Sequence, residues 1–105
     1  LNVPVSFGTS RQQQIKLFDR TIKEFADHIE PQLVIASAGF DSHKDDPVGS
    51  LGLESEDFRS ITRSLLEIAD EHCGGKIVSV LEGGYNPHAL TDCIAIHLEE
   101  LLGET

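Results

Sequence analysis

A chain of 105 residues holds one small domain and no more, and its core has little margin, since a domain of this size buries roughly 65% of its unfolded surface. With 18 acidic against 8 basic residues the formal net charge is −10. That excludes the basic footprint of a nucleic-acid or anionic-membrane binder and is compatible with a cationic substrate.

No apolar run approaches the roughly 18 residues of a membrane span, and no signal-peptide pattern appears. Cys73 and Cys93 form neither a CxxC pair nor a spaced framework, which points to a reduced, cytoplasmic setting. The chain has no methionine and opens on the apolar "LNVPVSF", so its start reads as a cut in a longer protein.

In chain order, residues 2–7 alternate Val3 and Val5 with Pro4 and Ser6, a short strand with Pro4 at its start or edge. Thr9 or Ser10 caps the helix that follows. Over residues 12–29 the apolar spacing of Ile15, Phe18, Ile22, Phe25 and Ile29 is that of an amphipathic helix, stopped by Pro31. Residues 33–38, "LVIASA", are apolar on both faces and read as a buried parallel strand. Residues 39–53, "GFDSHKDDPVGSLGL", show no periodicity; a loop this long in a small domain is often functional.

Ser55 is the expected cap of a second helix, with Glu56 and Asp57 in its first turn and Gly74-Gly75 closing it. Residues 76–81 form another buried strand, followed by "EGGY". Asn86 then serves as N-cap and Pro87 as first helical residue of a last helix. Its expected inner face is Leu90, Ile94, His97 or Leu98, and Leu101, and Gly103 ends it. The order β-α-β-α-β-α predicts an α/β fold: a parallel sheet with crossovers and helices on its faces, in three α/β/α layers. Ligands in such sheets sit beyond the carboxyl ends of the strands. "GFDSHKDD" and "EGGYN" both follow strands and should emerge on one sheet edge.

Within these loops the residue chemistry leaves alternatives open. Asp41 can cap a turn, ligate a metal or act as a base. Asp41 and His43 make an Asp-x-His, a plausible zinc fragment but only two ligands, and His43 also fits an ordinary polar loop histidine. Asp45 and Asp46 beside Lys44 suit a cation or, more often, a solvated turn. Gly83 and Gly84 permit unusual backbone or close approach of a ligand. Tyr85, the only tyrosine, either covers the sheet edge or offers its hydroxyl to an oxyanion. His97 reads as a satisfied core histidine. Cys73 and Cys93 read as structural.

Taken together, "PQLVIASAGFDSHKDDPVGSLGL", "DF" and "KIVSVLEGGYNPHAL" resemble the C-terminal part of the histone deacetylase superfamily. The bacterial, class II-like branch, with its acetoin-utilisation and acetylpolyamine amidohydrolase-type proteins, is the most similar. The resemblance covers nearly the whole chain, read as one segment, residues 1–105. It implies the arginase–deacetylase fold and hydrolysis of acetyl-lysine or related acetamides with one zinc ion. By position it makes Asp41 a zinc ligand, Tyr85 the residue that polarises the substrate carbonyl and stabilises the oxyanion, and Gly83 and Gly84 part of the acyl-lysine channel. His43 is not the zinc histidine of that pattern.

The family's paired histidines and its Asp-x-His zinc ligands are expected upstream and are absent from this sequence. The fragment alone is therefore expected to be inactive and to bind zinc weakly. A second reading is a truncated, non-catalytic member that acts as a binding module. With only three strands of a larger sheet, the chain is also expected to self-associate through an exposed edge.

Overall fold

The computed structural model describes residues 1–103. Its elements run α1 (Arg11–Ile29), β1 (Val34–Ala38), α2 (Asp57–His72), β2 (Ile77–Leu81) and α3 (Pro87–Leu102). The order is α-β-α-β-α. The strand expected over residues 2–7 does not form: alternation of Val3 and Val5 is local, whereas a strand needs a neighbour to hydrogen-bond, and among the described residues the sheet has only β1 and β2. The α/β class and the parallel pairing stand, with Val34 opposite Ile77 and Ala38 opposite Leu81.

Local chemistry sets the helix ends. Ser10 accepts the N–H of Gln13 while the Gln13 side chain accepts the N–H of Ser10, a closed capping box. Asn86 accepts the N–H groups of His88 and Ala89, and Pro87 follows at the first helical position. Gly103 ends α3 in the left-handed conformation. The start of α2 differs from expectation. Ser55 does not cap it; the helix begins at Asp57, whose carboxylate takes the N–H of Glu54 and a two-pronged pair of bonds from Arg11. Burial alone would raise the Asp57 carboxyl, but the Arg11 guanidinium and the Glu54 N–H hold it below its ordinary value.

The helices cover one face of the sheet. Phe40, Leu53, Phe58 and Cys93 form the buried cluster beneath them, with Phe40 and Phe58 edge to face at 5.2 Å. The buried line of α3 is Ala89, Cys93, His97 and Glu100; of the expected face His97 is buried and Leu90 and Ile94 pack half-buried against the core, while the alternative Leu98 is 49% exposed. Small Cys93 and Ala89 allow α3 close to α2, and Glu100 enters because Arg59 and Arg63 of α2 meet it at 2.9 and 3.0 Å. Nor are the strands buried on both sides: Ile35 is 66% exposed, and Val78 and Val80 share its open face. No described element packs on that face.

His97 is the core histidine expected from its position. Thr62 donates its hydroxyl to the Phe58 carbonyl and so accepts from His97 Nδ1 at 2.8 Å, leaving Nε2 to accept from Ser79 at 2.8 Å. The ring is neutral, and burial lowers its pKa. It ties α3 to α2 and to β2.

Candidate active site

Both unusual loops leave the sheet at the same edge. Phe40 N–H donates to the Gly83 carbonyl at 2.8 Å, and Glu82 N–H donates to the Ala38 carbonyl at 2.9 Å, so the ladder runs on past the strand ends. Asp41 therefore lies beside Gly83, and Tyr85 follows two residues later. The long loop is not slack. Ser50 donates to the Asp41 carbonyl at 2.7 Å, Leu51 to Ser42 at 3.0 Å and Lys44 to Leu53 at 2.6 Å, all through backbone N–H groups.

Proximity leaves little space for a side chain here. A Cβ on Gly83 would stand 2.8 Å from Asp41 Oδ2, and one on Gly49 would stand 2.4 Å from the Asp41 carbonyl oxygen. Gly84 has φ +137°, and a Cβ there would meet Leu90 at 2.7 Å. The Asp41 carboxylate thus rests, half-buried, against bare backbone. Tyr85 is 55% exposed, with its ring at the surface of the same edge.

His43 is buried and committed to the loop. Its Nδ1 accepts the Asp45 N–H at 3.0 Å, which leaves the proton on Nε2 to face the Ser55 hydroxyl at 3.1 Å. It is a structural histidine and adds no second ligand to Asp41. Cys93, whose thiol burial pushes up, lies in the same cluster with its Sγ 3.8 Å from Ser55.

Asp46 is the residue whose place spacing could not give. Instead of a solvated turn it is 7% exposed. Its Oδ2 accepts Val48 and Gly49 N–H at 2.9 and 2.8 Å, and its Oδ1 accepts Tyr85 N–H at 2.7 Å. Burial would raise its pKa, but these three backbone donors outweigh that and hold the carboxyl below its ordinary value. The side-chain amide of Asn86 adds a second tie, to the Asp45 carbonyl at 3.0 Å.

The donor chemistry at this edge suits zinc as far as it goes. A carboxylate at the strand end is an oxygen ligand of the right kind, and among the described residues Asp41 is the one donor at that point. The single group of three metal-ligating side chains within 4.8 Å among the described residues is Asp27, Glu71 and His72. It lies on the C-terminal ends of α1 and α2, at the opposite edge of the sheet, and takes no part in this site.

Residues 1–101 match the family model described as "Histone deacetylase domain". The chain belongs to the histone deacetylase family. It is 42% identical over 101 residues to "Type-2 histone deacetylase 1" of Dictyostelium discoideum, a match covering 96% of this chain and 7% of that protein. It is 33% identical to the "Histone deacetylase-like amidohydrolase" of Pseudomonas aeruginosa, covering 98% of this chain and 27% of the relative. Among solved structures, the histone deacetylase Clr3 superposes with a TM-score of 0.86 at 31% identity, over 100% of this chain and 17% of its own. The HDA15 HD domain superposes with a TM-score of 0.81 at 32% identity, over 94% and 27%. The chain thus spans about a quarter or less of the length of these relatives, and its sheet and helices are part of a histone deacetylase fold.

Proposed function

We propose that this chain is the C-terminal part of a zinc-dependent deacetylase acting on acetyl-lysine or related acetamides. The observation that supports this best is the juxtaposition, on one sheet edge, of the Asp41 carboxylate, the bare backbone of Gly83 and Gly84, and Tyr85. Zinc, when bound, polarises an amide carbonyl and activates water. Asp41 supplies one anionic ligand to it. Tyr85, exposed at the same sheet edge, donates its hydroxyl to the oxyanion as the carbonyl carbon becomes tetrahedral. Gly83 and Gly84 leave room for a narrow aliphatic chain. The substrate is an acetylated lysine or amine, in keeping with the acidic chain; neither nucleic acid nor a membrane is a direct partner, and the setting is cytoplasmic.

A catalytic zinc site takes three protein ligands and an open position. One ligand is in hand, so the other two and the acid–base histidines belong to sequence outside these 105 residues. The chain alone is inactive and holds zinc weakly.

The test is zinc titration and deacetylation by the complete enzyme, as wild type, Asp41→Asn and Tyr85→Phe. Asp41→Asn is expected to lose zinc. Tyr85→Phe is expected to keep zinc and lose about 10²–10³ in kcat, the usual cost of an oxyanion donor. Full activity in either variant, or deacetylation by the purified chain alone, overturns the proposal.

A further inference from the structure

We infer that Asp46 is a positioning residue for Tyr85 and sets it relative to Asp41. The inference rests on the reading of Tyr85 as an oxyanion donor. Tyr85 has a surface ring, so its place must come from its backbone. On one side is Gly84, in a conformation that by itself restricts little. On the other are Asn86 and Pro87, the fixed start of α3. Between them the Tyr85 N–H points into Asp46 Oδ1 at 2.7 Å, the short distance of a charge-assisted bond.

The other oxygen of the same carboxylate leads back to Asp41 through the backbone of Gly49. Oδ2 takes the N–H of Gly49, whose Cα is pressed against the Asp41 carbonyl, and the next residue, Ser50, donates to that carbonyl at 2.7 Å. One buried carboxylate thus spans from the residue proposed to hold the metal to the residue proposed to face the substrate oxygen. Three N–H donors on two oxygens require an acceptor-only group. Aspartate meets that; the amide of asparagine turns a donor towards at least one of them.

The same pattern explains why a buried acid is kept where an apolar residue would pack as well. An aliphatic side chain would leave three backbone N–H groups without partners, and among them the one that fixes Tyr85. Proton-transfer chemistry is not asked of Asp46. Its two oxygens are occupied, and it acts through Tyr85.

The chain itself carries the probe, because Tyr85 is its only tyrosine and it has no tryptophan. Wild-type chain labelled with ¹⁵N and ¹³C is expected to show scalar coupling between the Tyr85 amide nitrogen and the Asp46 carboxyl carbon. In Asp46→Asn, Tyr85 amide exchange is expected to speed up at least tenfold and tyrosine fluorescence anisotropy to fall, while amides of Ile68 and Ala69 keep their protection. No coupling in the wild type, or an unchanged Tyr85 in a folded Asp46→Asn, overturns the inference. If Asp46→Asn does not fold, the wild-type coupling alone decides. None of these measurements needs deacetylase activity, so a failure here is separate from a failure of the proposed reaction.

Discussion

The carboxylate of Asp41 lies against the Cα of Gly83 so closely that an added methyl group would stand 2.8 Å from Oδ2. Two loops that are far apart in sequence are in van der Waals contact through a side chain on one and the absence of a side chain on the other. Gly83→Ala is therefore expected to swing the short Asp41 side chain aside at little cost to stability. Gly49→Ala meets a backbone carbonyl at 2.4 Å, which cannot swing away. It is expected to cost about 1–3 kcal/mol, as overpacking usually does. Urea melts of the two variants check the ranking, and equal costs would contradict it.

His97 gives the stability a pH dependence. Its folded pKa is lowered by burial, while an exposed histidine titrates near 6.5. Above about pH 7 both states are neutral and its contribution is constant. As pH falls below about 6.5 the unfolded chain binds the proton first, so stability drops until the folded pKa is reached. The slope is at most about 1.4 kcal/mol per pH unit. Chemical denaturation of wild type and His97→Gln between pH 5 and 7.5 checks it; the difference between them is expected to shrink as pH falls.

Asn86 does two jobs that substitution can separate. Its carbonyl oxygen caps α3, and its amide donates to the Asp45 carbonyl. Asn86→Ala is expected to cost about 1 kcal/mol through the cap alone. Asn86→Asp keeps the cap and loses the donor, so it is expected to be the milder change by calorimetry.

An open sheet face and two open strand edges favour association of copies. Light scattering coupled to size exclusion is expected to find species above the 11.5 kDa monomer as concentration rises. Val78→Lys, on the exposed face, is expected to shift the distribution towards monomer. A strict monomer at high concentration would count against this.

What was legible in the sequence is what is local in space. Ser10, Asn86-Pro87 and Gly103 mark helix ends because a cap is made within a few residues. The two strands were legible from their apolar runs, and the shared edge of "GFDSHKDD" and "EGGYN" followed from parallel pairing alone. What was not legible depends on distant partners. The Val3–Val5 alternation has no strand beside it. The buried side of α3 is chosen by Arg59 and Arg63 of another helix, which draw Glu100 inward. Ser55, with all the marks of a cap, serves His43 instead. Asp46 sat in a stretch that spells a polar turn, and nothing in its neighbours announces a bond to a residue 39 positions later.

The parallel register has a kinetic side. Val34 meets Ile77 only after the long loop and the whole of α2 have been traversed, so no rung of the sheet is short-range. The helix contacts α1–α2 and α2–α3 are between neighbours in space whose caps form locally. Loop closure has to be met before a non-local ladder gives anything in return. The helices are thus expected to form before the sheet, and the edge carrying Asp41 and Tyr85, which exists only once β1 and β2 are zipped, is expected to be among the last parts of the molecule to take shape.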